Sequence, residues 1–361
     1  MESWVQTKCA DVIDRCRVTA VDGTTLFTPD GVGHYGALWT RDFAYLVEHG
    51  HEFLRSEDVR AAIQVLLAGQ RADGAIPDRV NRNLVPLYHP GAVDNPLGVL
   101  PALDNGMFMV SLVYHYHYHF GDGDFVRSLL PGLRRGLEFI PRNRGLVFND
   151  AQRPSCTYGF QDTVGKGGHD LFCSLLYIIA CRQMGTLDPA AAEQWRARAA
   201  QTEAGLVLLW DEEGGFYRAA SEVCRQFDVW GNAFAVAHGL GSAQSRQRAA
   251  YTLAQQYDAI VYRGQVRHLV APEHWERTFL PVAADTYQNG GYWGTAAGWL
   301  IEALQEVDPA LARRTFADLL DVYQSEGVVE WMAPDGGKGP DLYVATMVNI
   351  WALVKNVENS I

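Results

Sequence analysis

Residues 105–141 read NGMFMVSLVYHYHYHF, then GDG, then DFVRSLLPGLRRGLEFIP. Apolar side chains recur three and four residues apart on both sides of the GDG break, so the stretch predicts helices at 105–120 and 124–141 joined as a helical hairpin. The same spacing marks further runs near 2–16, 41–54, 57–69, 169–184, 189–210, 229–240, 243–257, 291–307, 309–325 and 342–357, about twelve helices in all. The pairs 41–54 with 57–69 and 291–307 with 309–325 are also separated by only a few residues. Strand-like pieces at 18–21, 146–149, 215–218 and 259–261 give no alternating βαβ pattern. The class expected is mainly α.

Between successive pairs lie six long loops bearing Gly and Pro, at 30–40, 71–103, 150–168, 218–228, 263–289 and 326–341. Short turns on one side and long ones on the other describe an (α/α)₆ toroid of six helical hairpins, with short β-ribbons in the loops and a site where the loops converge. No Ser-, Gly- or Pro-rich linker divides the chain, so one domain over residues 1–361 is expected.

A formal net charge of −12, without a basic stripe, argues against nucleic acid as a partner. Residues 1–16 lack the unbroken apolar core of a signal peptide, and no later run approaches membrane-spanning length. The six cysteines, Cys9, Cys16, Cys156, Cys173, Cys181 and Cys224, have no CxxC spacing and fall mostly on apolar helix positions, as reduced core thiols do. These features lead to the expectation of a cytoplasmic protein acting on a neutral small ligand. With 10 Trp and 16 Tyr, the chain is rich enough in aromatics to offer stacking surfaces.

The unusual residues gather in the loops. Loop one ends in Trp39-Thr40-Arg41-Asp42, where Arg41 and Asp42 at a helix mouth can grip vicinal hydroxyls, Trp39 offers a face to a sugar, and Tyr35 lies just upstream. In loop two Asp104 reads as an N-cap, with Asn105 facing the cavity. Loop three carries Tyr158-Gly159-Phe160-Gln161-Asp162-Thr163, and burial of Asp162 beside Phe160 would raise its pKa as a general acid requires. Loop four runs into Asp228-Val229-Trp230, and loop five closes on Tyr287-Gln288-Asn289-Gly290-Gly291-Tyr292-Trp293. There the glycines let backbone approach a ligand, while Gln288, Asn289 and Trp293 supply hydrogen bonds and stacking. Loop six holds Val328-Val329-Glu330-Trp331, in which a strand-like lead fixes Glu330 as a base for water, and then Asp341-Leu342-Tyr343. The run Tyr114-His115-Tyr116-His117-Tyr118-His119 looks like a metal cluster, but no HExxH or third ligand accompanies it, so no metal is expected.

Taken in order, these segments resemble the six-hairpin, or (α/α)₆-barrel, glycoside hydrolases: glucoamylase, trehalase, processing α-glucosidase, mannosylglycerate hydrolase and neutral invertase. Trp39-Thr40-Arg41-Asp42 is similar to that group's Trp-x-Arg-Asp sugar-binding segment. Phe160-Gln161-Asp162-Thr163 resembles the stretch bearing the general acid, Tyr287 to Trp293 the aromatic-x-x-Gly-x-x-Trp element, and Glu330-Trp331 with Tyr343 the segment bearing the general base. Gln161, Thr163 and Trp331 depart from the usual neighbours. The resemblance implies inversion, with Asp162 protonating the leaving oxygen and Glu330 activating water, the carboxyl groups about 6.5–9.5 Å apart. It also implies an exo-acting enzyme on a small α-linked glucoside or related glycoside, needing no metal or organic cofactor. The sugar-binding set expected is Tyr35, Trp39, Arg41, Asp42, Asp104, Asn105, Phe160, Gln161, Trp230, Gln288, Asn289, Gly290, Trp293, Trp331 and Tyr343. Two alternatives stand beside it: a sugar isomerase or epimerase using His34, His89 and His169, and a carbohydrate-binding protein without catalysis.

Overall fold

A computed structural model describes residues 2–358, of which the side chains of Glu2 and residues 356–358 are left aside. Its helices are α1 (Glu2–Arg15), α2 (Thr40–Gly50), α3 (Ser56–Ala68), α4 (Asn105–Phe120), α5 (Gly123–Glu138), α6 (Leu171–Leu187), α7 (Ala192–Gly205), α8 (Val229–Ala237), α9 (Ala243–Gln255), α10 (Tyr257–Ile260), α11 (Ala297–Gln305), α12 (Pro309–Glu326) and α13 (Val344–Glu358). All but the one-turn α10 answer to a run legible in the sequence.

Two kinds of helix alternate. α2, α4, α6, α8 and α11 are largely buried, with Thr40, Arg41 and Asp42 of α2 included; in α8 every residue from Val229 to Val236 is buried. α3, α5, α7, α9 and α12 bury one stripe and turn charged side chains outward. A helix apolar all round must be enclosed by others, whereas an amphipathic one covers from outside. The contacts follow that division: α2 packs on α4, α4 on α6, α6 on α8, α8 on α11, α11 on α13, and α13 back on α2. α3 and α5 lie against α4, α7 against α6, α9 against α8 and α12 against α11, while α1 packs on α13. Aspartates cap four of the inner and outer helices at their starts: Asp122 accepts from Phe125 N, Asp170 from Cys173 N, Asp228 from Gly231 N, and Asp308 from Ala310 N and Leu311 N.

Where strands occur, they stitch loops together. Val261–Tyr262, Gln265–Arg267, Tyr292–Trp293 and Trp331–Met332 form a four-stranded antiparallel sheet joining loops five and six. Ala37–Trp39, Arg79–Asn81 and Pro86–Leu87 join loops one and two. This pairing corrects two helix boundaries. The run at 291–307 becomes helical only at Ala297, because Tyr292 and Trp293 pair with Met332 and Trp331. The run at 169–184 starts at Leu171, because Gly168 and His169 pair with Asn149 and Phe148. All six cysteines are free and buried. Among the described residues no helix is long and apolar enough to cross a membrane.

Candidate active site

The six long loops precede α2, α4, α6, α8, α11 and α13, so the N-terminal ends of the inner helices face them together. There a small cavity, of about 30 Å³, is lined by side chains from loops one, three, five and six. Its aromatic walls are Tyr35, Trp39, Phe160, Tyr287, Trp293 and Tyr343; its carboxyl groups are Asp42, Asp162 and Glu330.

Asp162 follows the 3₁₀ turn Gly159–Gln161, and its backbone N–H closes that turn on Gly159 O at 3.2 Å. One side-chain amide then fixes it across the cavity. Gln288 Nε2 donates to Asp162 Oδ1 at 2.9 Å, while Gln288 Oε1 accepts from Thr163 N at 2.9 Å and Thr163 Oγ1 at 2.7 Å. Loops three and five are thereby locked at the acid. Burial pushes the Asp162 carboxyl up to about 6, against the opposing pull of the Arg41 charge and the Gln288 hydrogen bond.

Glu330 is 3% exposed. The strand-like lead expected before it is absent: residues 327–329 are irregular, and the strand begins after it, at Trp331. Its position is set by the return of loop six, where Glu330 N donates to Pro340 O and Tyr343 N to Val328 O, each at 2.9 Å. Gly339 is needed for this close return, since a Cβ there would meet Trp331 Cδ1 at 2.6 Å and Glu330 Cβ at 3.0 Å. Tyr35 Oη donates to Glu330 Oε1 at 2.5 Å. Burial pushes Glu330 up to about 8; the Tyr35 hydrogen bond lowers it, and the negative charges of Asp42 and Asp162 raise it. Asp42 accepts from Tyr343 Oη at 3.0 Å and is raised to about 7 by burial.

Beneath the cavity lies a buried ionic box. Arg41 Nη2 donates to Asp78 Oδ1 at 2.5 Å, and Arg41 Nε to Asp104 Oδ2 at 3.2 Å. Asp104 Oδ2 also accepts from Gly159 N at 2.7 Å, which ties loop three to the start of α4. Asp104 therefore does not cap α4 with its side chain, contrary to the sequence reading. Gly159 is required by contact: a Cβ there would lie 1.8 Å from Arg41 Nε. Although Arg41 reaches the cavity wall, its guanidinium is engaged by carboxylates, which leaves Asp42 as the hydroxyl acceptor of that pair.

Of the expected sugar-binding residues, Tyr35, Trp39, Arg41, Asp42, Phe160, Gln288, Trp293 and Tyr343 line the cavity with Asp162 and Glu330. The rest stand behind it. Asn105 Oδ1 accepts from Arg41 Nη2 at 3.4 Å, inside the box. Gln161 turns away to a buried network, accepting from Lys166 Nζ at 2.8 Å and lying 3.2 Å from His268 Nδ1. Trp230 is sealed in the core with its ring over His268 at 3.9 Å and its Nε1–H on Val266 O. Asn289 binds the backbone at Trp275 N and Val282 O, and Gly290 at φ +120° lets Arg267 pass. Trp331 packs against Tyr287, their ring centroids 6.1 Å apart. Two further residues belong to the site region: Tyr287, inside the loop-five motif, lines the cavity, and Asp78, from loop two, completes the ionic box under Arg41. His34, His89 and His169 lie outside the cavity lining.

No protein-family model and no curated protein matches the sequence. Solved structures do share its fold. An uncharacterized conserved protein from Thermus thermophilus superposes with a TM-score of 0.68 at 18% identity, covering 97% of this chain and 100% of that one. A GH63 mannosylglycerate hydrolase from the same organism, in complex with Tris and D-glycerate, does so with a TM-score of 0.67 at 18% identity and the same coverage. A rhamnosidase from Klebsiella oxytoca with rhamnose bound gives 0.66 at 17% identity, over 97% of this chain and 64% of that one. The resemblance to the six-hairpin glycoside hydrolases thus holds at the level of fold.

Proposed function

We propose that this chain is an inverting, exo-acting glycoside hydrolase, a single (α/α)₆ toroid that cleaves a small α-linked glucoside or related glycoside without a metal or organic cofactor. One observation carries the reading: Asp162 and Glu330, 168 positions apart in the chain, line one small aromatic-walled cavity, each held by a dedicated neutral partner. The closed circuit of inner-helix contacts supports the toroid.

In this mechanism the Asp162 carboxyl gives its proton to the glycosidic oxygen as the bond to the anomeric carbon breaks. Glu330 takes a proton from a water that attacks that carbon from the opposite face. Asp42 and the aromatic walls hold the non-reducing sugar. The six reduced, buried cysteines accord with a cytoplasmic enzyme acting on an imported sugar.

The higher pKa at Glu330 favours a second reading in which the roles are exchanged, Glu330 being the acid and Asp162 the base. Both readings share the same pair and the same inversion. The test is hydrolysis of a panel of nitrophenyl glycosides and small disaccharides, with NMR of the first anomer released. Release of the inverted anomer supports the proposal; a retained anomer, or binding without turnover, overturns it.

A further inference from the structure

The far end of the inner helices opens into a second, larger cavity, of about 840 Å³, lined from α2, α4, α6, α8, α11 and α13. It is separated from the first by an aromatic partition: Tyr45, on the wall of the far cavity, contacts Phe160, on the wall of the near one, with ring centroids 6.0 Å apart. The run of alternating tyrosines and histidines on α4 that resembled a metal cluster sends His115, His119, Tyr114 and Tyr118 to this cavity. Among the described residues, no three His, Cys, Asp or Glu side chains form a group that could hold a metal ion.

The electrostatics of this end favour a cation. Glu48 is the central carboxylate, with Oε1 3.3 Å from His115 Nε2 and Oε2 3.9 Å from His49 Nε2. His115 is its closest counter-charge and helps draw the Glu48 carboxyl below its ordinary value against the effect of burial; the other imidazoles are poorer ones. Burial pushes His119 and His238 down to about 4 and lowers His49, and His51 stacks flat on His119 at 3.4 Å, where two positive rings would repel. The two lining cations already have partners: Lys355 binds Glu52 at 2.8 Å and His49 O at 2.9 Å, and Arg182 binds Glu203 at 2.6 Å. The inner helices also end here, so their C-terminal dipoles bring partial negative charge to the same place. Two buried acceptors on the wall, Gln183 Oε1 and Asn349 Oδ1, have no hydrogen-bond donor within the protein. Trp299, Tyr114 and Tyr118 supply π faces.

We infer that this cavity is a binding site for a small organic ammonium ion, paired with Glu48 and held against the tyrosine and tryptophan rings. The negative surroundings disfavour an anion, and a neutral ligand would gain at most a hydrogen bond from Glu48 or the helix ends, without the charge attraction.

Calorimetry with benzylammonium, and with benzyl alcohol as its neutral counterpart, tests the site. The ammonium should bind one to one, and the alcohol at least tenfold more weakly. Glu48→Gln should weaken ammonium binding at least tenfold while glycoside hydrolysis is unchanged, and Asp162→Asn should leave ammonium binding intact. Because Tyr118 is 73% exposed, Tyr118→Ala keeps the fold and should weaken the ammonium about threefold, which covers a failure of the Glu48 variant to fold. No binding by the wild type, equal binding of the alcohol, undiminished binding in both far-end variants, or loss of binding in Asp162→Asn would each overturn the inference. The last outcome would assign the amine to the near cavity.

Discussion

Tyr35 and Glu330, 295 positions apart in the chain, meet through a 2.5 Å hydrogen bond in which the phenol donates to a carboxyl group otherwise enclosed by apolar and acidic neighbours. Burial dominates the state of that carboxyl, and the phenol is the chief force opposing it. Tyr35→Phe should therefore raise the Glu330 pKa further, move the alkaline limb of activity upward, and slow hydrolysis near neutral pH. A hydrogen bond to a charged group is worth about 1.5–3 kcal/mol, which sets the loss at about 10- to 100-fold. The pH profiles of the variant and the parent check this; an unmoved limb would detach Tyr35 from the base.

The pair should give a bell-shaped dependence of kcat/KM on pH. Below about 6 a second proton loads onto the two carboxyl groups, and above about 8 the last one leaves. The singly protonated pair dominates between, and either placement of that proton gives the same bell, since the limbs belong to the pair. A profile with one limb, or with both limbs below 5, contradicts the geometry.

Roles within the pair are separable by leaving group. If Asp162 is the acid, Asp162→Asn should lose about 10²- to 10⁴-fold on alkyl glycosides yet retain most activity on a glycosyl fluoride, whose departure needs little protonation. Glu330→Gln should be slow on both. The reverse pattern assigns the acid to Glu330.

Stability should move against pH in a predictable direction. The folded-state pKa of Glu330 is raised, so its contribution to stability is fully present below the unfolded carboxyl value, declines as pH rises, and is gone above about 8. Glu330→Gln should match the parent at pH 4 and exceed it at pH 9 by on the order of 1–3 kcal/mol. Urea titrations at the two pH values measure the difference, and a variant less stable at pH 9 would refute the sign.

Arg41 is 2% exposed and is the shared partner of Asp78 and Asp104. Arg41→Met leaves the buried Asp104 without its cation and Asp78 with Arg79 alone, and should destabilise the fold by about 3–5 kcal/mol. Asp162→Asn, in a group with a neutral partner, should cost far less. Equal losses in the two variants would mean that the box is not structural.

Much of the scaffold could be read from residue spacing, because an inner helix that is largely apolar and an outer one with a single stripe differ in pattern before they pack. Asp162 and Glu330 were legible because each is an acid beside an aromatic in a long loop. The orientation of single side chains was not. Trp230 and Gln161 sit in segments that reach the site, but each is turned from the cavity by a partner remote in sequence, Val266 and His268 among them. The role of Asp104 was hidden for the same reason: the N–H it accepts from belongs to Gly159, 55 positions on. Residues 292–293 fit a helical pattern and became strand because loop six offered them a hydrogen-bonded edge.

The packing of α1 against α13 has a consequence for biosynthesis. Val5, Cys9 and Val12 on α1 are completely buried, yet α13, which packs on that helix, begins only at Val344. Until α13 is made that apolar face lacks its partner, and long-range closure of this kind is slow and prone to aggregation. Chains stalled before residue 344 should accordingly be the ones that chaperones retain.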